Sequence, residues 1–392
     1  MLSNYNAFFF LRQLFLTQFY KKYLQIYGKC GILILFERRR GFFPRKIFPF
    51  ERKKQGIPNS MKVWQLTYPH NLQHVVAPDL KLTDEKVKVK ITKALLTEAD
   101  VSVYLGAIKV KAPFILGKFA IGQVTEATED SFVRKGERVY LAGVTEDENA
   151  PDGLKVAGET ADGFYRDFCL AGVNDVYPLP ASVTDEAAFL IDAIALAERV
   201  VDEMQISVGQ HILVLGGGLY ANVLCQILIY HRAVPILADN NAERLARAKK
   251  CGIYYTFPND ETLKTNVLNV TGGKKADGAV YLAYANRSEP SVLFPLVKRD
   301  SFVTFCAPTS KNIHVNLEHA MKNNVTIKGI TESREFVSTA INLLAQKAVN
   351  FSEFPFRSFK EEELPALMEK YGSILDSGAN LPEQMDILKF IF

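Results

Sequence analysis

The segment HILVLGGGLYANVLCQILIYHRAVPILAD, residues 211–239, contains the clearest fold pattern in the chain. A short apolar run is followed by three glycines, then by a helical segment, and then by a second apolar run that ends at Asp239. A strand, a glycine turn, a helix and a strand in this order are typical of a βαβ unit. The sequence therefore predicts a parallel sheet in this part of the chain.

The glycine turn, residues 216–221, fits the dinucleotide-binding pattern G-x-G-x-x-A. Gly216 permits the tight turn, and Gly218 lets the backbone approach a pyrophosphate. Ala221 suits the last place, where only close packing of helix against strand is required. The positive end of the following helix meets the charge of the diphosphate. The predicted cofactor-binding turn comprises Gly216, Gly217, Gly218, Leu219, Tyr220 and Ala221.

Asp239 is the predicted partner of the adenosine ribose. It lies 23 positions after Gly216, close to the roughly twenty expected for a carboxylate that accepts from the ribose hydroxyls. Its charge would repel a 2′-phosphate, and Asn240 and Asn241 follow it rather than arginine. NAD is therefore favoured over NADP. Alternatively, Asp239 only caps the next helix, although Asn241 can serve as that cap.

Further strand candidates alternate with helical segments after this unit, as a doubly wound sheet requires. They are YYTF (Tyr254 to Phe257), AVYLAY (Ala279 to Tyr284), SFVTFC (Ser301 to Cys306) and VTIKGI (Val325 to Ile330). The predicted fold class is α/β.

Composition and charge limit the kinds of protein and partner that the chain can represent. The chain has 392 residues, of which 48% are hydrophobic, enough for two domains. Residues 1–60 hold 12 of the 47 basic residues and only two acids, so residues 61–392 carry 35 basic and 41 acidic residues. The positive charge lies outside the part that resembles an enzyme, and no apolar run approaches the length of a membrane span. We therefore expect neither a nucleic-acid partner nor a membrane partner.

The first sixty residues do not have the pattern of a domain, because they mix aromatic and basic residues without helical or strand period. We expect a start codon placed too early, with Met61 as the true first residue; the alternative is a basic interfacial anchor. The five cysteines are widely spaced and form no C-x-x-C motif. This pattern favours a reducing cytoplasm without a disulfide framework.

The whole of residues 61–392 resembles the medium-chain dehydrogenase/reductase superfamily, which includes zinc alcohol and polyol dehydrogenases. Besides the glycine turn, the resemblance includes PFILGKFAIGQV (Pro113 to Val124), VRKGERV (Val133 to Val139), DGFYRDF (Asp162 to Phe168) and YPLPASVTDEAAFLIDAIAL (Tyr177 to Leu196). It implies a GroES-like β-rich domain over about 61–180, completed by about 331–392, and a Rossmann domain over 181–330. DILKFIF (Asp386 to Phe392) would be the closing strand, and the substrate would bind between the domains.

The resemblance also shows where zinc ligands are expected, and most of those positions have been replaced. Thr97 matches the first cysteine of the family, and Lys118 and Phe119 match the histidine and glutamate of its G-H-E motif. Asp192 is the remaining carboxylate counterpart. One carboxylate beside an ammonium will not hold zinc. We therefore expect no metal.

Lys118 provides a single positive charge at the place where the resemblance implies a zinc ion. In one hypothesis, Lys118 stabilises the developing alkoxide of a substrate, Thr97 or Glu98 relays a proton, and Asp192 is the counter-charge. In the other, Lys118 and Asp192 form a partly buried ion pair that only fills the vacated site.

The sequence therefore predicts a zinc-independent, NAD(H)-dependent oxidoreductase acting on a small hydroxyl or carbonyl compound, such as a polyol or sugar derivative. Reduction of an activated C=C bond is an alternative. A catalytically inactive protein that binds or senses the nucleotide is another, because loss of a metal removes charge stabilisation that a lone lysine need not replace. We expect a homo-oligomer, as is common in proteins of this type.

Overall fold

The computed structural model describes residues 60–129, 131–151, 153–283, 289–306, 315, 317–331, 333–379, 381 and 385–390. Apart from Ser60, the basic extension predicted over residues 1–60 lies outside them. Tyr284 and the last two residues of the predicted closing strand also lie outside them. Within the described ranges, no helix has the length and apolar character needed to cross a bilayer.

Short strands dominate the first domain, as the alternating apolar residues and the Gly/Pro turns predicted. In KVKVKI, for example, Val87, Val89 and Ile91 are fully buried. The elements are β1 (Ser60–Tyr68), β2 (Asn71–Pro78), β3 (Lys86–Leu96), α1 (Glu98–Tyr104), β4 (Phe114–Ile115), β5 (Phe119–Ala127), β6 (Arg138–Leu141), β7 (Val144–Glu146), β8 (Leu154–Val156), β9 (Phe168–Gly172) and β10 (Val176–Pro178).

The second domain contains the predicted parallel sheet. Its elements are α2 (Asp185–Ala188), α3 (Ile191–Glu203), β11 (His211–Leu215), α4 (Leu219–Tyr230), β12 (Val234–Asp239), α5 (Ala242–Lys250), β13 (Tyr255–Pro258), α6 (Leu263–Val270), β14 (Ala276–Tyr281), β15 (Val297–Phe305), α7 (Leu317–Lys322), β16 (Thr326–Gly329) and α8 (Val337–Ala345). The strand order is β13-β12-β11-β14-β15-β16, with every pair parallel. This is the Rossmann order, and it confirms the predicted α/β fold.

The chain then returns to the first domain through β17 (Phe356–Lys360), α9 (Leu364–Asp376) and β18 (Met385–Lys389). β18 pairs with β3, so the main sheet of the first domain runs β10-β6-β5-β3-β18-β17, with β9 also paired to β3. Helix α8 packs against α3 of the second domain. The first strand of the returning segment begins at Phe356.

The fold positions the site in two ways. The strand order reverses between β11 and β14, and ligands of open α/β sheets bind at such a switch point, beyond the carboxyl ends of the strands. In addition, Phe119 and Ile121 of β5 belong to the same buried apolar cluster as residues of α3 and α4. The glycine turn between β11 and α4 therefore lies at the switch point, and β5 shares an apolar cluster with α3 and α4.

Candidate functional site

The glycine turn has the geometry of a diphosphate cradle. Gly216 has φ +114°, and a Cβ built on it would lie 2.7 Å from the backbone of Leu282 and Ala283. At Gly218, by contrast, a Cβ would meet no atom within 4 Å. Gly218 is the N-cap of α4, and no side chain caps that helix. The turn is thus closed towards the sheet and open at the amino end of the helix, where an anion would bind.

Asp239 lies beside this turn with its carboxylate fixed from several directions. It is buried, and its Oδ2 accepts a hydrogen bond from the Gly217 backbone N at 2.6 Å. Its Oδ1 accepts from the Asn241 backbone N at 2.6 Å. The cap of α5 is Asn241, whose side chain accepts from the backbone N of Glu243 and Arg244. Asp239 is therefore not the cap of that helix.

Arg244, which the sequence analysis did not identify, lies against Asp239. Its Nη1 is 3.5 Å from Asp239 Oδ2, and both side chains are largely buried. The interpretation from Asn240 and Asn241 alone was therefore incomplete, because a guanidinium does lie near the expected ribose position. The spacing could have revealed it, since Arg244 comes three residues after the N-cap of α5, one turn into the helix.

Thr97 has a structural role at the start of α1. Its hydroxyl donates to Asp100 Oδ2 at 2.6 Å and accepts from the Asp100 backbone N at 3.2 Å, which forms a capping box. Asp100 is buried and also accepts from the Gly117 backbone N at 2.8 Å. The hydroxyl of Thr97 is thus engaged within its own turn, and Glu98 is exposed.

Lys118 lies immediately before β5. Its ammonium is 3.4 Å from Oε1 of Glu159, and both side chains are partly buried. It also lies 5.7 Å from the centroid of the Phe119 ring. Glu159 follows the β7–β8 hairpin, and no local pattern in the sequence relates it to Lys118. The charge of Lys118 is therefore already balanced by a residue that sequence reasoning missed.

Asp192 occupies the first turn of α3 and interacts with both domains. Its Oδ2 accepts a hydrogen bond from the Tyr220 hydroxyl at 2.7 Å. Burial raises the pKa of Asp192, and the charge of Lys118 and the hydrogen bond from Tyr220 partly oppose that rise. The carboxylate is therefore a stronger base than an exposed aspartate.

Asp192 therefore interacts with both Lys118 and Tyr220, through charge and through a hydrogen bond. The hydroxyl of Thr97, by contrast, is occupied in the cap of α1. The groups at the expected ligand positions do not fit a zinc ion, because a capping hydroxyl, an ammonium and a phenyl ring are not zinc ligands. Among the described residues, no three His, Cys, Asp or Glu side chains are grouped so that they could hold a metal.

Comparisons with known proteins agree with this architecture. The family described as the alcohol dehydrogenase GroES-like domain matches residues 83–181. A sorbitol dehydrogenase of Halalkalibacterium halodurans is 24% identical over 281 residues, which cover 68% of this chain and 82% of the relative. A protein of Haemophilus influenzae, described as an uncharacterized zinc-type alcohol dehydrogenase-like protein, is 23% identical over 329 residues, or 79% of this chain and 92% of the relative.

Solved structures share the fold across both domains. The Escherichia coli CFT073 protein rspB, described as a short chain alcohol dehydrogenase and solved with NADH, superposes with a TM-score of 0.73 at 20% identity. The match covers 85% of this chain and 100% of that one. The GroES-like match, the collinear relatives and the Rossmann order of the sheet lead to the same family. Together they support the medium-chain dehydrogenase/reductase superfamily for this chain.

Proposed function

We propose that this chain is an oxidoreductase that uses a nicotinamide dinucleotide to interconvert a small hydroxyl compound and its carbonyl product. The observation that carries the proposal is the open glycine turn at the switch point, with the Asp239 carboxylate 2.6 Å from the Gly217 amide nitrogen. That pairing of an anion cradle with a ribose acceptor is what a dinucleotide requires. When bound, the nicotinamide ring would supply or accept a hydride.

The residues of the turn fit the cofactor. The backbone of residues 216–218 and the amino end of α4 would hold the diphosphate, and Asp239 would accept from the adenosine ribose. A carboxylate offers about four acceptor directions, so Asp239 keeps capacity for a ribose hydroxyl beside its two backbone donors. We propose NAD rather than NADP, because Arg244 is directed at Asp239 and its charge is thereby balanced.

Serine in place of Asp239 tests this preference. The substitution removes the carboxylate and leaves the guanidinium of Arg244 beside the ribose, where it can bind a 2′-phosphate. We expect the ratio of NADPH to NADH affinity, measured by fluorescence titration, to rise by about 30-fold, or roughly 2 kcal/mol. The Asp239→Ser, Arg244→Ala double variant is the control and should lose most of that gain. An unchanged ratio in the single variant would show that this pair does not select the nucleotide.

We propose that the reaction proceeds without zinc, because the side chains at the expected ligand positions, Thr97, Lys118 and Phe119, are not zinc ligands. The relatives named sorbitol dehydrogenase favour a polyol or sugar derivative as the substrate. The residues available for chemistry in the cleft are Lys118, Asp192 and Tyr220. The ammonium of Lys118 already interacts with Glu159. A hydrogen bond from Lys118 to a substrate oxygen would therefore be weaker than one from a lysine without that partner.

One experiment tests the proposed function as a whole. Full-length protein is dialysed against EDTA, titrated with NADH and NADPH, and assayed with NAD and sorbitol, with NADH and fructose, and with NADH and cyclohexenone. We expect NADH binding, turnover of the hydroxyl or carbonyl compound, and rates within twofold before and after EDTA. Loss of activity with EDTA would contradict zinc independence, and turnover of cyclohexenone alone would favour C=C reduction. Binding without any turnover would favour a sensor.

We also propose a homo-oligomer that assembles through the outer edge of β16. Within the described part of the chain, no strand pairs with that edge, and an unpaired edge is a template for a second strand. Ile327 on β16 and Met321 on the adjacent α7 are exposed. Light scattering of the purified chain tests this, and a monomeric mass would contradict it. A cytoplasmic location and the absence of a nucleic-acid partner stay predictions.

A further inference from the structure

Tyr220 connects the glycine turn to helix α3. Its backbone belongs to the glycine turn, because it is the second residue of α4 after the N-cap Gly218. Its side chain crosses to the first turn of α3, where the hydroxyl donates to Asp192 Oδ2 at 2.7 Å. The hydroxyl therefore joins the segment expected to hold the dinucleotide to the carboxylate of Asp192.

The other predicted proton carriers are engaged differently. The Thr97 hydroxyl donates to Asp100 at 2.6 Å, within its own helix cap. The Lys118 ammonium lies 3.4 Å from Glu159. The Tyr220 hydroxyl, by contrast, donates its hydrogen to a carboxylate, and a phenol oxygen that donates can also accept, here from a substrate hydroxyl. Tyr220 and Asp192 are both partly exposed.

We infer that Tyr220 and Asp192 form the proton relay of the proposed oxidation, with Tyr220 as the catalytic residue that touches the substrate. As the substrate carbon gives up its hydride to the nicotinamide, the O–H bond of the substrate breaks and its proton passes to Tyr220 Oη. The original phenol proton passes along the observed hydrogen bond to Asp192 Oδ2 and from there to solvent. The substrate loses two electrons with the hydride and becomes a carbonyl compound, and reduction uses the same path in reverse.

The direction of the hydrogen bond supports this assignment. A relay needs each donor aimed at the next acceptor before the reaction begins, and the Tyr220 hydroxyl already donates to a carboxylate that burial makes more basic. The charge of Lys118 also acts on that carboxylate and lowers its pKa, against the effect of burial. The inference rests on the proposed function, because it assumes that a hydroxyl compound is oxidised in this cleft.

Phenylalanine in place of Tyr220 removes the hydroxyl and keeps the ring. With NAD and sorbitol, the alcohol of the assay above, we expect kcat to fall by roughly 10²–10³-fold and the solvent deuterium isotope effect on kcat to disappear, with KM changed less than about threefold. The matched control is Tyr230→Phe, the same change at the exposed far end of α4. It should keep wild-type kcat.

Two further measurements separate a relay from a structural role. The dissociation constant of NADH, measured by fluorescence without substrate, should change by less than about threefold in Tyr220→Phe. The Tyr220→Phe, Asp192→Asn double variant should be no slower than the slower single variant, because members of one relay are not additive.

The outcomes are distinct. Wild-type protein that neither oxidises sorbitol nor reduces fructose would overturn the proposed function and the inference together. Active wild-type protein with a Tyr220→Phe variant within fivefold of its kcat would overturn the inference alone. A tenfold loss of NADH affinity in that variant would also overturn it, since Tyr220 would then serve the cofactor rather than the proton.

Discussion

Alanine in place of Gly218 is expected to weaken NADH binding by about 100-fold, or roughly 2.7 kcal/mol, without unfolding the protein. Gly218 has φ −69° and ψ −177°, a conformation that alanine adopts readily. A methyl group there would meet no protein atom within 4 Å, so the free energy of unfolding should change by less than about 1 kcal/mol. The space that the methyl would fill is the space proposed for the diphosphate. Fluorescence titration and urea denaturation measure the two effects separately.

Gly216→Ala is the matched control two residues earlier. At that position the added methyl would lie 2.7 Å from the Leu282 and Ala283 backbone, and the backbone has φ +114°. We expect this variant to lose about 2–4 kcal/mol of stability as well as NADH affinity. If Gly218→Ala bound NADH as tightly as the wild-type protein, the open side of the turn would not be the path of the diphosphate.

The second domain could be predicted from the sequence because its rules are local. A glycine turn between an apolar strand and a helix has few alternatives, and the acid at the end of the next strand is fixed by the length of the βαβ unit. Asn241 as the cap of α5 follows from the same kind of local preference. The glycine turn and the Asp239 carboxylate do lie beside one another, and their role in binding a cofactor stays a prediction.

The cleft could be predicted only in part, because its contacts join residues far apart in the chain. Lys118 and Asp192 do interact, yet their close partners are Glu159 and Tyr220. Both partners depend on how the hairpin and the glycine turn fold back towards the cleft, which no spacing encodes. Thr97 was assigned a proton-relay role by position in the family pattern, whereas its neighbour Asp100 engages the hydroxyl in a helix cap. Thr–x–x–Asp is itself a capping pattern.

Methionine in place of Arg357 is expected to reduce the free energy of unfolding by about 2–3 kcal/mol, because Asp386 is buried although the Arg357 side chain is 36% exposed. Arg357 on β17 donates to both oxygens of Asp386 on β18, each at 2.9 Å. Asp386 also accepts from the Tyr371 hydroxyl of α9. The pair therefore joins the last strands of the first domain to the helix between them. Removing the guanidinium leaves a buried carboxylate without its counter-charge, and urea denaturation measures the cost.

The double variant Arg357→Met, Asp386→Leu separates charge from packing. It removes both charges and fills the same space with apolar side chains. The double variant should therefore recover most of the stability lost by the single change. Lys322→Met provides a second control, because the Lys322–Glu318 ion pair is exposed and should contribute less than about 0.5 kcal/mol. A single variant as stable as the wild-type protein would mean that Tyr371 alone satisfies Asp386. The closing strand would then depend on its backbone pairing with β3, where Asp386 lies opposite Leu96, rather than on the ion pair.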